Sequence, residues 1–266
     1  MQRFADLDHP AKMAVEAKIQ ADLDRLCGDD PRRLERFGYK VYSQSDEDGI
    51  LAEIFHRIGT TNRVFVEFGA EVGLENNSRL LLEQGWSGLW IEGNPDYAGS
   101  IRWTYRDQIA SGQLRFTSSF VYPTNINQLI SDAYISGEID LLSIDIDSND
   151  WFVWQAISVI NPRVVCIEHN HGYPPPIEYV MPYQPDYYWD GTGPATYGSS
   201  LSSNCKLGQE KGYSLVGCGL YSANGFFVRN DLLGDHFNWG RAPETHWKML
   251  DYKSILMYPN KLASEV

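Results

Sequence analysis

Long apolar runs are missing from this chain. In 266 residues no stretch approaches the ~18 consecutive apolar residues that a membrane-spanning helix needs. The first residues, Met1 to Asp6, carry no apolar segment of a secretion signal. Basic residues are scarce: 22 Lys and Arg against 35 Asp and Glu leave a formal charge of −13. That balance repels polyphosphate and argues against a nucleic-acid partner, whose binding runs on displaced counterions. Cysteine is sparse too. Cys27, Cys166, Cys205 and Cys218 form no C-x-x-C pair and no disulfide framework, and Cys166 lies in an apolar run as an inert core thiol. A reducing, cytoplasmic compartment fits that usage.

What is present is a full core. Hydrophobic residues make up 43% of the chain, enough for one large α/β domain. Residues 11 to 36 read as helix, with Met13, Ile19, Leu23 and Leu26 near helical spacing and a break at Gly28 to Pro31. From residue 46 helix and strand alternate. Helices are expected over 48–58, 77–84, 96–110, 126–135 and 151–160, and strands over 64–68, 88–92, 114–117, 139–145 and 164–168. The strands are apolar on both sides, as buried parallel strands are. This predicts a mostly parallel sheet with helices on both faces. A further helix over 196–211 is followed by strands at 213–217 and 225–229 with a short connection, a C-terminal antiparallel β-hairpin.

Three parts follow from this pattern. Residues 1–40 form a helical appendage that packs on the sheet or makes a dimer contact. Residues 41–235 form the main domain, and residues 236–266 form an extension. Within the domain, residues 172–198 are rich in Pro, Tyr and Gly, including Tyr173-Pro174-Pro175-Pro176 and Pro185-Asp186-Tyr187-Tyr188-Trp189-Asp190. Loops of that length are usually functional, and disordered segments are poor in aromatics, so a substrate-covering loop is expected; a packed surface loop is the plainer alternative.

The stretch Val64-Phe65-Val66-Glu67-Phe68-Gly69-Ala70-Glu71-Val72-Gly73 reads as a buried strand entering a glycine turn, and Leu89-Trp90-Ile91-Glu92-Gly93 as a second strand ending in an acid. A turn glycine admits close backbone approach, and an acid one βα unit later suits ribose hydroxyls. Glu71 stands where a dinucleotide fingerprint needs its second glycine. A cationic adenosine cofactor without phosphates fits better, and S-adenosylmethionine is one. Glu92 is the expected ribose carboxylate, with Gly93 beside it; the alternative is a helix N-terminal acid gaining ~0.3–1 kcal/mol from the dipole. Glu67, Gly69 and Gly73 are expected around the methionine portion, with Glu67 facing its ammonium. Asn76 either binds cofactor or caps the next helix, and Ser118 and Ser119 are expected near the adenine.

In an open α/β sheet ligands bind beyond the strand carboxyl ends, and here five such ends in order are polar. The fourth carries Asp145-Ile146-Asp147-Ser148-Asn149-Asp150 and the fifth Glu168-His169-Asn170-His171. Asp145 and Asp147 share a side of an extended chain, as do Glu168 and Asn170, on strands ~4.8 Å apart. These oxygens converge on one cation of the Mg²⁺, Mn²⁺ or Ca²⁺ type, which would lower the pKa of an acceptor hydroxyl. On the other reading one aspartate, Asp145, bonds cofactor and no metal binds. His169 or His171 is a candidate base for the hydroxyl proton. Asp150 is a further candidate, or the cap of the next helix.

Several of these motifs, in order, resemble the FkbM-type methyltransferases. They are Ser43-Gln44-Ser45-Asp46-Glu47-Asp48-Gly49-Ile50-Leu51, Val66-Glu67-Phe68-Gly69, Glu75-Asn76-Asn77, Gly85-Trp86-Ser87-Gly88, Ile91-Glu92-Gly93, Asp140 through Asp150, Val165-Cys166-Ile167-Glu168, Gly212 through Gly217 and Phe226 through Asp231. The resemblance covers roughly residues 40 to 231. It implies a Rossmann-like class I methyltransferase fold and S-adenosylmethionine-dependent O-methylation of a sugar, nucleotide-linked sugar or similar polar metabolite. It also implies a metal site whose ligands fall on Asp147 and Glu168. His169 and Asn170 stand where a second strand-five acid is expected, which leaves the third ligand open, with Asn170 the candidate. An NAD(P)-dependent sugar oxidoreductase and a non-catalytic cofactor-binding subunit are the alternatives. The missing glycine and the absence of a Tyr-x-x-x-Lys pair weigh against the first. The acids kept at successive strand ends weigh against the second.

Overall fold

The computed structural model describes residues 3–185, 187, 196–221, 223–237, 243–249 and 252–266. Strands β1 (Val64–Phe68), β2 (Ser87–Glu92), β3 (Leu114–Ser118), β4 (Gly137–Ile144), β5 (Ile160–Glu168), β6 (Tyr213–Cys218) and β7 (Asn224–Arg229) form one sheet in the order β3-β2-β1-β4-β5-β7-β6. The first five are parallel, and β7 runs antiparallel to both β5 and β6. The chain first steps outward from β1 to β3, then returns to β4 on the other side of β1. That reversal opens a crevice above the carboxyl ends of β1 and β4. The mostly parallel order closed by an antiparallel hairpin is the Rossmann-like class I methyltransferase arrangement.

Period-two alternation divides the core between the two faces of the sheet. Phe65, Trp90, Leu141 and Val164 face α2 (Glu47–Ile58), α3 (Arg79–Glu83) and α4 (Pro95–Thr104). Their neighbours Val66, Leu89, Leu142 and Val165 face α6 (Ile126–Asp132), α7 (Asp150–Ala156) and α8 (Leu201–Lys211). Helix α5 (Arg106–Ala110) continues from α4 toward β3. Among the described residues no helix is long and apolar enough to cross a membrane.

Several sequence-predicted helices are shorter than expected, most of all those at 11–36 and 196–211. The N-terminal one is α1 (His9–Cys27), opened by the Asp8 side chain accepting from Ala11 N at 2.9 Å and ended at Gly28 with φ +51°. Only a single 3₁₀ turn follows, at Leu34–Phe37. The helix expected from 196 begins at Leu201, where Ser200 caps it through Ser203 N. Helix α1 leans Ile19, Leu23 and Leu26 on Leu220 and Tyr221 of the hairpin turn and on Ile255 and Tyr258, which flank the end of α9 (Tyr252–Leu256). Tyr221 Oη donates to Asp22 at 2.7 Å. The appendage and the extension thus meet over the hairpin turn of their own chain. His246 is fully buried with Nδ1 3.7 Å from Glu35. Of the expected loop, residues 186 and 188–195 lie outside the described residues, as do 238–242, 250 and 251 of the extension.

Asp140, on the central strand β4, fixes the amino-terminal end of β1. Its carboxylate is fully buried, accepts from the amides of Thr61, Asn62 and Arg63 at 3.0, 3.0 and 2.7 Å, and pairs with Arg163 at 3.1 Å. The turn that feeds β1 is therefore tied to β4 and β5 below the crevice. Replacing Asp140 with Ala strands the Arg163 charge and three amides, and should cost about 3–5 kcal/mol in urea unfolding. A loss below about 1 kcal/mol, the range of an exposed pair, would contradict this role.

Candidate functional site

The crevice begins where the chain leaves β1. Gly69, Glu71 and Gly73 have φ of +79°, +46° and +79°, and Gly69 N donates to Ile91 O at 3.1 Å. A Cβ at Gly69 would lie 1.5 Å from the Asp145 carbonyl oxygen, and one at Gly73 2.8 Å from the Tyr105 ring. One at Gly93 would lie 2.5 Å from the Phe120 ring. Gly69 is required by a backbone crossing and Gly73 by its positive φ against the buried Tyr105 ring, reasons independent of any ligand, whereas the Phe120 ring beside Gly93 is exposed and can move.

Glu92 ends β2 at the crevice rim. Its two oxygens accept from Glu71 N and Asn94 N, each at 2.6 Å. Burial holds its carboxyl above the usual range, against those two bonds. A carboxylate has about four acceptor positions, so roughly two remain for hydroxyl donors. Glu67 is placed differently from its expected part. It is buried, and its oxygens accept from Asn77 N at 2.9 Å, Ser78 N at 3.1 Å and the Ser78 hydroxyl. It holds the segment leading into α3 and offers no face to a cofactor ammonium. Asn77 joins this floor, donating to Ser143 Oγ at 3.1 Å and Cys166 Sγ at 3.5 Å. Next to it Asn76 is 5% exposed, and neither end of its amide has a hydrogen-bond partner among the described residues. Buried amides are rarely left so, and a ligand at the turn is one way to satisfy this one. Ser119 is half-buried with its hydroxyl donated to Phe120 O at 3.0 Å, and Ser118 is exposed.

Across the crevice, Asp145, Asp147 and Glu168 bring one carboxylate oxygen each within 4.8 Å of one another. The expected extended geometry is not how they meet. Asp147 has φ +54°, so the chain curls after β4, while register sets Glu168 of β5 beside Asp145, one position past the Ile144–Ile167 pair. All three are half-buried. Burial, then Asp147, Asp150, Glu71 and Glu67, push the Asp145 carboxyl well above its ordinary range. Burial and the charges of Asp145, Asp147 and Asp150 do the same to Glu168. Asp147 is pushed up to about 7 by burial, Asp150 and Glu71. Three hard oxygen donors held this close could hold a divalent cation. Asp145, expected at the cofactor, is thus the third acid of this group.

Asn170, the expected third ligand, is committed elsewhere. It is fully buried, donating to Tyr197 O at 2.8 Å and accepting from Gly172 N at 2.9 Å. Asp150 is 1% exposed and accepts from Ile146 N and Ser148 N at 2.8 and 3.0 Å, so it closes the loop after β4 and cannot reach a substrate. His169 is buried, its amide donates to Ala223 O at 2.8 Å, and burial pushes its imidazole down to about 3. It stays neutral and sealed from solvent. His171 is half-buried and held below the ordinary histidine range by burial. The described part of the Pro/Tyr loop is stitched down. Tyr173 and Tyr179 stack at 3.9 Å, and Asn149 Nδ2 donates to Gln184 O at 2.8 Å.

Three residues here were not anticipated. Tyr197 is 1% exposed, and its main-chain O accepts from Asn170 Nδ2 at 2.8 Å. Asn204, fully buried, donates to Glu168 O at 3.0 Å, and Ser199 Oγ lies 2.5 Å from Asn204 Oδ1. Nothing in their spacing signals a partnership with residues 168 to 170. A concavity of about 500 Å³ lies away from this crevice, lined by Pro31, Phe37, Glu53, Arg57 and His236. There Arg57 packs between the rings of Phe37 and Phe237 and donates to Arg32 O and His236 O, which makes it a structural seam.

No protein family and no curated protein matches this chain. Several solved structures are similar in fold. They include magnesium protoporphyrin IX methyltransferase (ChlM) from Synechocystis PCC 6803 with bound SAH, at 13% identity and TM-score 0.44, over 82% of this chain and 97% of that one. The N-terminal domain of EvdMO1 with SAH bound gives 12% identity and TM-score 0.41, over 84% and 95% of the two chains. An S-adenosylmethionine-dependent methyltransferase from Clostridium acetobutylicum gives 11% and 0.43, over 80% and 98%. The fold assignment rests on strand order and the closing hairpin, and the chemistry on the side chains described above.

The acid group makes stability depend on pH. The unfolded chain releases the Asp147 proton in the ordinary aspartate range, and the folded chain holds it to about 7. The resulting stability is fully present at low pH and is lost as pH rises toward about 7. Without divalent cation, the melting temperature should therefore fall as pH rises through that window, and Asp147→Asn should flatten the fall. Asp145 and Glu168, both raised well above their ordinary range, and Asp46, pushed up to about 7 by burial and Glu47, leave a residual slope. An unchanged slope in the variant would contradict the assignment.

Proposed function

We propose that this chain is an FkbM-like methyltransferase. It transfers a methyl group from S-adenosylmethionine to a hydroxyl of a sugar, nucleotide-linked sugar or similar polar metabolite, assisted by a divalent cation. The observation that carries this reading is the meeting of Glu92, the Gly69–Gly73 turn and the Asp145/Asp147/Glu168 group along one strand-end crevice. S-adenosylmethionine bound there supplies a sulfonium methyl, and Mg²⁺ or Mn²⁺ on the three acids supplies positive charge for the acceptor's oxygens. Glu92 holds the ribose hydroxyls with its free acceptor positions. The unpartnered Asn76 amide fits a polar group of the cofactor. Asp145, Asp147 and Glu168 would hold the cation, whose positive charge would suit the acceptor's oxygens. His171 stays neutral near pH 7 and takes the hydroxyl proton, since His169 and Asp150 are shut in.

Calorimetry separates this from an NAD(P)-dependent oxidoreductase. S-adenosylhomocysteine should bind in the micromolar range and NAD should not; the reverse sinks the proposal. Glu92→Ala should weaken S-adenosylhomocysteine about tenfold or more, the worth of hydrogen bonds to a charged group. Unchanged affinity would remove Glu92 from the site. Methyl transfer to a panel of nucleotide sugars and glycosides should stop with chelator and return with Mg²⁺ or Mn²⁺. Activity indifferent to chelator removes the cation, and cofactor binding without turnover on any acceptor favours a non-catalytic subunit.

A further inference from the structure

We infer that Asn76 and Arg79 hold the carboxylate of the cofactor's methionine end: an unpartnered amide and a guanidinium share one short segment beside the acids of the crevice. The inference rests on the S-adenosylmethionine reading above and assigns the one negative group of that molecule, which the reading leaves without a partner.

S-adenosylmethionine carries a sulfonium and an ammonium, which suit an acid-lined crevice, and a carboxylate, to which the acids described above offer nothing. Residues 74–79 leave the Gly69–Gly73 turn and lead into α3. The later amides of this segment are already spent. Asn77 N and Ser78 N donate to Glu67 at 2.9 and 3.1 Å, and Arg79 N donates to Asn76 O at 3.3 Å. Recognition here therefore falls to side chains. Asn76 is 5% exposed, and neither end of its amide has a hydrogen-bond partner among the described residues. Arg79 reaches back over the same segment, with Nη1 donating to Leu74 O at 2.7 Å and the guanidinium 4.1 Å from the centre of the Tyr42 ring. Its buried Nε has no hydrogen-bond partner, and no carboxylate pairs with it among the described residues. The strand of chain that carries Tyr42 is fixed in turn. Asp48 accepts from Val41 N, Tyr42 N and Ser43 N at 2.7, 2.7 and 2.9 Å, and Lys40 Nζ stands 3.7 Å from Glu75. The guanidinium is thus held before any ligand arrives, which lowers the entropy lost on binding. An arginine fork matches a carboxylate in shape as well as charge, and an amide beside it adds a further donor.

The test is calorimetric titration of the full chain with S-adenosylhomocysteine and with its decarboxylated analogue, which keeps the adenosine, the thioether and the amine. Wild type should bind S-adenosylhomocysteine about tenfold or more tighter than the analogue, the worth of hydrogen bonds to a charged group. Asn76→Ala and Arg79→Met should each weaken S-adenosylhomocysteine by about tenfold and leave the analogue unchanged. Arg79→Lys, which keeps the charge and loses the fork, should recover part of the loss. Equal affinity of wild type for the two ligands overturns the inference with no variant needed and leaves the cofactor reading standing. A loss in the variants that falls equally on both ligands also overturns it, since that marks a structural role for the segment. If wild type binds neither ligand, the cofactor reading falls first and this inference with it.

Discussion

At the switch between β1 and β4 the backbone of Gly69 passes so close to the Asp145 carbonyl that no side chain fits between them. Most of the crevice depends on that approach. Because β1 turns there, Gly69 N reaches Ile91 O, and Asp145 N reaches Phe68 O at 3.3 Å. The same turn carries Glu71 N to Glu92 and so orients the acid at the end of β2. The carboxyl ends of β2, β1 and β4 are thereby locked at fixed spacing. A bulkier residue at position 69 would have to move a strand end, since backbone cannot step aside as a flexible side chain can.

That rigidity is what makes the electrostatics of the far wall expensive. Asp145, Asp147 and Glu168 cannot spread into water, so burial first and neighbouring acids second leave carboxyls that hold protons above their ordinary range. A buried group of like charges is relieved by a proton or by a cation. The protein keeps the group half-exposed at the crevice and spends other buried acids on structure. Glu67 secures the approach to α3, Asp150 closes the loop after β4, and Asp140 ties down the turn before β1. Asp48 gathers the amides of Val41, Tyr42 and Ser43. The same residue type thus serves anchoring and chemistry, and the difference lies in whether backbone amides already occupy its oxygens.

Much of the fold was legible because it rests on local signals. Apolar runs and turn residues mark the strands from Val64 to Arg229, and the alternation with helices implies a parallel order. The candidate site was legible only in part. Strand ends can be read from the chain, so Glu92, Asp147 and Glu168 could be singled out. Sequence cannot tell which acids are consumed by nearby amides, so Glu67 and Asp150 look as available as Asp145. Alternation along an extended strand suggested Asn170 as a ligand, but the chain leaves the sheet at Glu168 and Asn170 is used to staple the loop's return. Asn204 was invisible because its bond to Glu168 O joins residues far apart in sequence across an irregular segment, where no periodicity applies.

The central claim is that one strand-end crevice holds both an adenosine cofactor and a divalent cation. The most direct measurement is a crystal structure of the chain with S-adenosylhomocysteine and Mn²⁺, with the metal located by anomalous scattering. The account predicts a single strong peak bonded to carboxylate oxygens of Asp145, Asp147 and Glu168, with ribose hydroxyls on Glu92. A cofactor bound away from Glu92, or Mn²⁺ absent from the three acids at saturating concentration, would contradict it.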